Sequence, residues 1–168
     1  MSRAFVKEPD DPRAGDDQPE LPRSPHPNFV TPRGLALLQA RRDELLAEKG
    51  DLGSREGDLE ALTHIGQVER ELRYLEARIG TARLVEPKDQ PRDAVAFGAR
   101  VTLEDENGER RDYAIVGEDE ASPQEGKVSW VSPLAQALTG AAVGELIAWR
   151  RPAGDVELEV IEIRYGDD

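Results

Sequence analysis

Residues 50–59 read Gly50-Asp51-Leu52-Gly53-Ser54-Arg55-Glu56-Gly57-Asp58-Leu59, and the reading of this stretch decides the fold. The text is helical on both sides of it. No proline occurs between Pro32 and Pro87, and Leu, Ala, Glu and Arg dominate. Thr31-Pro32 opens the run, with threonine at the N-cap and proline where a missing N–H costs nothing. Leu35, Leu38 and Leu45 lie on one apolar seam. Leu62, Ile65, Leu72, Leu75, Ile79 and Ala82 lie on a second, flanked by Leu59 and Val68. A single unbroken helix is disfavoured by the glycine cluster, because each glycine costs about 1 kcal/mol relative to alanine. The chain is therefore expected to fold back within 50–58 as an antiparallel helical hairpin. A turn at Gly57 gives arms 32–56 and 58–82, equal lengths of about 37 Å at about 1.5 Å per residue. A turn at Gly50 is the alternative.

Beyond Pro87 the period changes from helical to alternating. Val95–Leu103, Arg111–Val116, Val128–Val131, Leu146–Trp149 and Val156–Tyr165 read as strands, the last alternating apolar and charged residues as a half-buried antiparallel strand does. Glu106-Asn107-Gly108 joins the first two as a hairpin turn. Pro133–Leu138 is a short helix capped by Ser132 and stopped by Gly140. Trp130 and Trp149 fall inside strands and are expected to fill this core. The fold class is α+β, a helical hairpin followed by an antiparallel β domain with one short helix. Upstream, residues 1–30 carry six prolines and six acids against four bases, with thin aliphatic content, so they are expected to form a disordered arm. The organisation expected is an arm over 1–30, a hairpin over 31–86 and a C-terminal domain over 87–168.

Composition removes most chemistry. The chain has 168 residues, 22 Lys plus Arg against 35 Asp plus Glu, a net charge of −13, no cysteine and two histidines. Disulfides, thiolate zinc sites and thiol nucleophiles are excluded, and His26 and His64 are too few for a triad or a His-based metal centre. A surface this acidic is unsuited to gripping nucleic acid or an anionic membrane. No apolar run approaches a membrane span, and the N-terminus lacks a signal-peptide core. The expectation is a cytoplasmic monomer with no cofactor of its own.

The hairpin tip concentrates carboxylates. Residues 43–60 hold seven acids against Lys49 and Arg55, whereas the stem carries Arg70, Arg73, Arg78 and Arg83. A solvated turn accounts for this, and so does delivery of oxygen ligands for Mg²⁺ into another protein's site. Glu118-Asp119-Glu120 reads as an acidic turn between strands, and His64 as a residue at the seam's edge.

Tyr113-Ala-Ile-Val-Gly117-Glu-Asp-Glu-Ala121, Ser129-Trp-Val-Ser132-Pro133-Leu-Ala135-Gln-Ala-Leu138, Val143-Gly144-Glu145, Pro152-Ala-Gly154 and Val160-Ile-Glu-Ile-Arg-Tyr165, in this order behind a helical hairpin, resemble the GreA/GreB transcript-cleavage factors. The resemblance implies an FKBP-like C-terminal domain that docks on RNA polymerase at the rim of its secondary channel. It also implies a hairpin that carries its tip toward the polymerase's Mg²⁺ centre, and nucleic acid met only through the transcription complex. Tip acids in the family help place Mg²⁺ and a water for cleavage of backtracked RNA. The residues matched are Asp58 with Glu60, or alternatively Asp51 with Glu56, and any Mg²⁺ would be held jointly with the polymerase. Docking would use Ser132, Pro133 and Leu134. The pattern departs at the tip. With Gly57-Asp58 matched, Ala61 stands in the second acid's place and each arm is about one heptad short, roughly 10 Å. With Gly50-Asp51 matched, Ser54 takes that place. The implied function is a Gre-type regulator that modulates transcript cleavage or elongation. The alternatives are an Rnk-like or anti-cleavage regulator and, from another class, a prolyl isomerase using Phe97, Tyr113, Trp130, Trp149 or Tyr165.

Overall fold

Two glycine-rich interruptions compete for the hairpin turn, and the backbone chooses the second. Helix α1 runs Pro32–Gly53 and α2 runs Leu59–Thr81, so Gly50 is helical and the chain reverses over 54–58, where Gly57 takes φ +79°. That left-handed conformation is nearly free for glycine and costly for other residues. The computed structural model describes residues 19–55 and 57–166. Among the described residues the contacts form two units, one of 19–24 with 41–77, the other of 25–40 with 78–166. The division thus falls within the helices, not at the changes of secondary structure near 31 and 87.

In the first unit, Leu45 and Leu52 of α1 and Ala61, Val68 and Leu75 of α2 are buried, each set repeating at heptad spacing, with Leu72 beside them. Ion pairs Arg41–Glu71 at 2.9 Å, Lys49–Glu69 at 2.8 Å and Glu48–His64 at 3.0 Å cross between the helices with descending register, which fixes them as antiparallel. These pairs are exposed and add little stability each. The expected second seam is corrected near the turn. Leu59 is 74% and Leu62 49% exposed, and Ala61 takes the inward position. Successive helical residues are rotated by about 100°, so turning Ala61 inward carries Leu62 toward solvent.

The second unit begins earlier than the sequence implies. Strand β1 (Phe29–Val30) pairs in parallel with β2 (Arg83–Leu84), and Asn28 is buried. The Asn28 amide donates to the Arg78 carbonyl at 2.7 Å and to Thr81 Oγ1 at 3.3 Å. The expected disordered arm is therefore corrected at its end: residues 28–30 are strand and anchor. Residues 19–27 are coil and bends without helix or strand, and residues 1–18 lie outside those described.

The main sheet has the order β5-β4-β3-β7-β6, with β3 Arg100–Glu104, β4 Arg110–Val116, β5 Lys127–Ser129, β6 Leu146–Trp149 and β7 Val156–Arg164. Three of its four pairings are antiparallel, as expected. The fourth is not: β5 runs parallel to β4. A 3₁₀ turn at Pro123–Glu125 and Gly126, at φ +69°, bring the chain back in the same direction as β4. A side chain at Gly126 would meet the Asp112 carbonyl at 2.7 Å. In β7 the inward residues Leu158 and Val160 alternate with Glu157 and Glu159. A register shift opposite Thr102/Leu103 then inserts Ile161 as an extra residue and re-aims the strand.

Helix α3 (Pro133–Leu138) starts where Ser132 Oγ accepts the Ala135 N–H at 3.3 Å. It buries Leu134, Ala135 and Leu138 in a core shared with Val101, Leu103 and Ile115. Trp130 and Trp149 pack against that core and are only partly buried. The result is a five-stranded, mostly antiparallel β domain with one short helix.

Tyr165 closes this unit. Its hydroxyl accepts the Ala96 N–H at 2.8 Å and donates to the Ala94 carbonyl at 2.6 Å. Tyr165→Phe strips both backbone groups of their partner and is expected to cost about 1–3 kcal/mol in denaturant unfolding. Burial raises the phenol above its ordinary value of 10.0. The folded state thus holds the proton more tightly than the unfolded chain, so this contribution is intact below pH 10 and is lost as pH climbs through the raised value. Melting curves above pH 10 should fall more steeply for the wild type than for Tyr165→Phe.

Candidate functional site

The tip is built by local hydrogen bonds. Ser54 Oγ donates to the Asp51 carbonyl at 2.7 Å, and the Arg55 N–H to the Leu52 carbonyl at 3.1 Å, closing α1. Asp58 then opens α2: its Oδ1 accepts the N–H groups of Glu60 at 3.0 Å and Ala61 at 3.2 Å. An aspartate is among the best N-caps because it satisfies amides that have no helical partner. Its negative charge also lies at the positive end of the helix dipole. Both bonds go to Oδ1, and the residue is exposed.

Asp58 and Glu60 therefore share the first turn of α2, with Leu59 exposed between them, and Asp51 is exposed on the last turn of α1. Glu56 lies outside the described residues. Ala61, standing in the second acid's place, is 4% exposed, so a carboxylate there would point into the seam instead of outward. Among the described residues, no three His, Asp or Glu side chains converge as a cation site. Glu48, Asp51 and Arg55 border an open hollow next to His64, whose Nε2 meets Glu48 as already noted.

In the second unit, the residues expected to meet a partner separate into two kinds. Pro133 is exposed and Ser132 half-buried at the start of α3, but Leu134 is 2% exposed. The expectation that Leu134 contacts a partner is corrected: its side chain belongs to the core. Nearby, Lys127 Nζ meets Glu125 at 2.6 Å and holds that carboxyl below its ordinary value.

The acidic turn Glu118–Glu120 also proves to be more than a solvated loop. Asp119 Oδ2 accepts from Arg78 Nε at 2.6 Å, Glu118 lies 3.9 Å from the same guanidinium, and Arg78 is 4% exposed. Thr31 Oγ1 donates to Glu120 at 2.5 Å while accepting the Gly34 N–H at 2.8 Å. Gly117 lets β1 approach: a side chain there would meet the Phe29 carbonyl at 2.5 Å. Sequence reasoning missed this clasp. Its partners are 41 and 89 residues apart, and no local pattern joins them.

A family model for the C-terminal part of the transcription elongation factors GreA/GreB matches residues 90–165. The transcription elongation factor GreA of Desulfovibrio desulfuricans is 35% identical over 138 residues, which cover 78% of this chain and 85% of that protein. The chain belongs to the GreA/GreB family. GreB of Pseudomonas aeruginosa is 34% identical over 158 residues, 86% of this chain and 94% of that one. Among solved structures, Thermus aquaticus Gfh1 aligns at 26% identity and TM-score 0.41, covering 83% of this chain and 98% of that one. The blocks that carry the GreA/GreB resemblance, from Tyr113 to Tyr165, all fall within the matched segment. No helix among the described residues is long and apolar enough to cross a membrane. Of the five aromatics considered for a proline pocket, Tyr113 and Trp149 line one cleft, and Phe97 and Trp130 each pack against Phe29.

Proposed function

We propose that this GreA/GreB-family chain binds RNA polymerase at its secondary channel and presents the hairpin tip to the Mg²⁺ active site, modulating transcript cleavage or elongation. The observation that carries this reading is the tip itself: Asp58 is fixed as the cap of α2, with Glu60 exposed two residues on. Carboxylate oxygens of this kind suit Mg²⁺, and two acids are too few to hold a cation alone, so the ion would be completed by the polymerase's own ligands. Such an ion supplies charge stabilisation and an activated water. This chain's part is to position carboxylates on a preorganised turn. Ser132 and Pro133 are the docking residues proposed on the second unit.

Ala61 favours a second reading, in which the chain occupies the channel without stimulating cleavage. The inward turn of that residue leaves the second family ligand without a counterpart. RNA cleavage in stalled elongation complexes separates the two. Asp58→Asn with Glu60→Gln removes both charges and keeps an N-capping side chain, whereas Asp58→Ala adds a capping loss of about 0.5–2 kcal/mol. If the tip acids act, the Asn/Gln variant loses about 100-fold in cleavage rate, the scale expected for a mispositioned reaction, and still binds core polymerase. Absence of cleavage by the wild type, with displacement of an active cleavage factor, establishes the occupancy reading. No binding to core polymerase removes both.

A further inference from the structure

A cleft of about 360 Å³ opens at the end of the sheet formed by the β3–β4 and β6–β7 turns. Its volume falls within the range of small-ligand and peptide-anchor sites. Leu103, Val156 and Leu158 line its apolar part, and Tyr113 and Trp149 meet edge to face within it, ring centroids 6.3 Å apart. The Trp149 ring already holds a cation: the Arg151 guanidinium lies 5.0 Å from its centroid. Around the rim stand Asp105, Glu106, Glu109 and Asp155 against Arg111 and Arg151, a local excess of negative charge. Glu109 meets Arg111 at 3.4 Å, whereas Glu106 and Asp155 form no ion pair among the described residues. Asp105 is held in the turn by the N–H groups of Asn107 and Glu109 at 2.8 and 3.0 Å.

We infer that this cleft binds a short extended peptide segment of a partner protein in which an apolar side chain is flanked by lysine or arginine. The apolar residue would enter against Leu103, Leu158 and Tyr113. The flanking cation would reach Asp155 and Glu106 or replace Arg151 on the Trp149 face, since an aromatic ring attracts cations of either kind. Charge complementarity selects this occupant: an acidic segment would meet four rim carboxylates, and a purely apolar one would leave Glu106 and Asp155 without an ion-pair partner. The inference is independent of the tip and of Ser132–Pro133.

The test uses the full chain, ¹⁵N-labelled, titrated with two capped hexapeptides, Lys-Leu-Lys-Leu-Lys-Leu and Glu-Leu-Glu-Leu-Glu-Leu. The basic peptide is expected to shift the Trp149 indole and Tyr113 amide resonances while leaving the Trp130 indole in place, and to bind at least tenfold tighter than the acidic one. Asp155→Lys with Glu106→Lys, both exposed and outside the core, should weaken it at least tenfold, and Arg151→Ala should strengthen it by freeing the ring. Trp149→Ala should abolish binding, with the Trp130 resonance reporting whether that variant is folded. Equal affinity for the two peptides overturns the inference. So do shifts spread over the acidic surface, or binding unaffected by the Lys substitutions.

Discussion

Arg78→Leu is expected to lower the unfolding free energy by about 3–5 kcal/mol, the scale for removing one partner of a buried ion pair. The guanidinium is almost entirely enclosed and donates to Asp119 at 2.6 Å, with Glu118 3.9 Å away. Without it, two carboxylates remain in a partly desolvated turn with their counter-charge removed. The Arg78 backbone carbonyl still accepts from Asn28, so the loss comes from the side chain. Thermal unfolding should shift down by about 10 °C for a chain of this size. Adding Asp119→Leu should recover at least half of the loss, because an apolar pair in place of a buried ion pair is often near neutral. If the single variant melts with the wild type, Arg78 is not the anchor described.

Leu45→Ala should cost about 2–5 kcal/mol, the range for leucine truncation in a packed interior. Leu45 is 1% exposed, the most enclosed residue of the helix seam. Its removal leaves a cavity in the seam that neighbouring side chains held in fixed rotamers do not fill. The exposed Leu46, one residue on and 49% accessible, provides the contrast: Leu46→Ala should stay within about 0.5 kcal/mol. Circular dichroism at 222 nm against urea reads both. Equal midpoints for the two variants would contradict the antiparallel seam.

Much of the architecture was legible in residue order. Pro32, the absence of proline to Pro87 and the clustered glycines specify two helices and a reversal, because helix propensity and turn chemistry are local. Alternation placed β7 almost as read, Val156–Arg164 against Val156–Tyr165, and Ser132-Pro133 marked the start of α3. But β3 begins at Arg100 and not at Val95, and β5 ends at Ser129 and leaves Trp130 outside it. The candidate tip acids were legible because they are neighbours in sequence. Legibility ended where a choice depended on packing. Gly50 and Gly57 carry similar local turn signals; equal arm lengths favoured Gly57, and the backbone reverses there with Leu45, Leu52, Ala61 and Val68 buried. Leu134 has the same local context as its exposed neighbour Pro133, yet its burial follows from the helix face that meets the sheet.

From the sequence alone came the hairpin, the β domain, the acidic tip and the exclusion of thiol and His-based chemistry, all consequences of local propensity, periodicity and composition. The three-dimensional arrangement alone decided that Phe29–Val30 is strand, that β5 is parallel to β4, that Glu118–Glu120 grips Arg78 and Thr31, and that Tyr113 and Trp149 share a cleft. Each of these joins residues distant along the chain. Their pairing is fixed by burial and hydrogen-bond satisfaction, which no spacing in the sequence encodes.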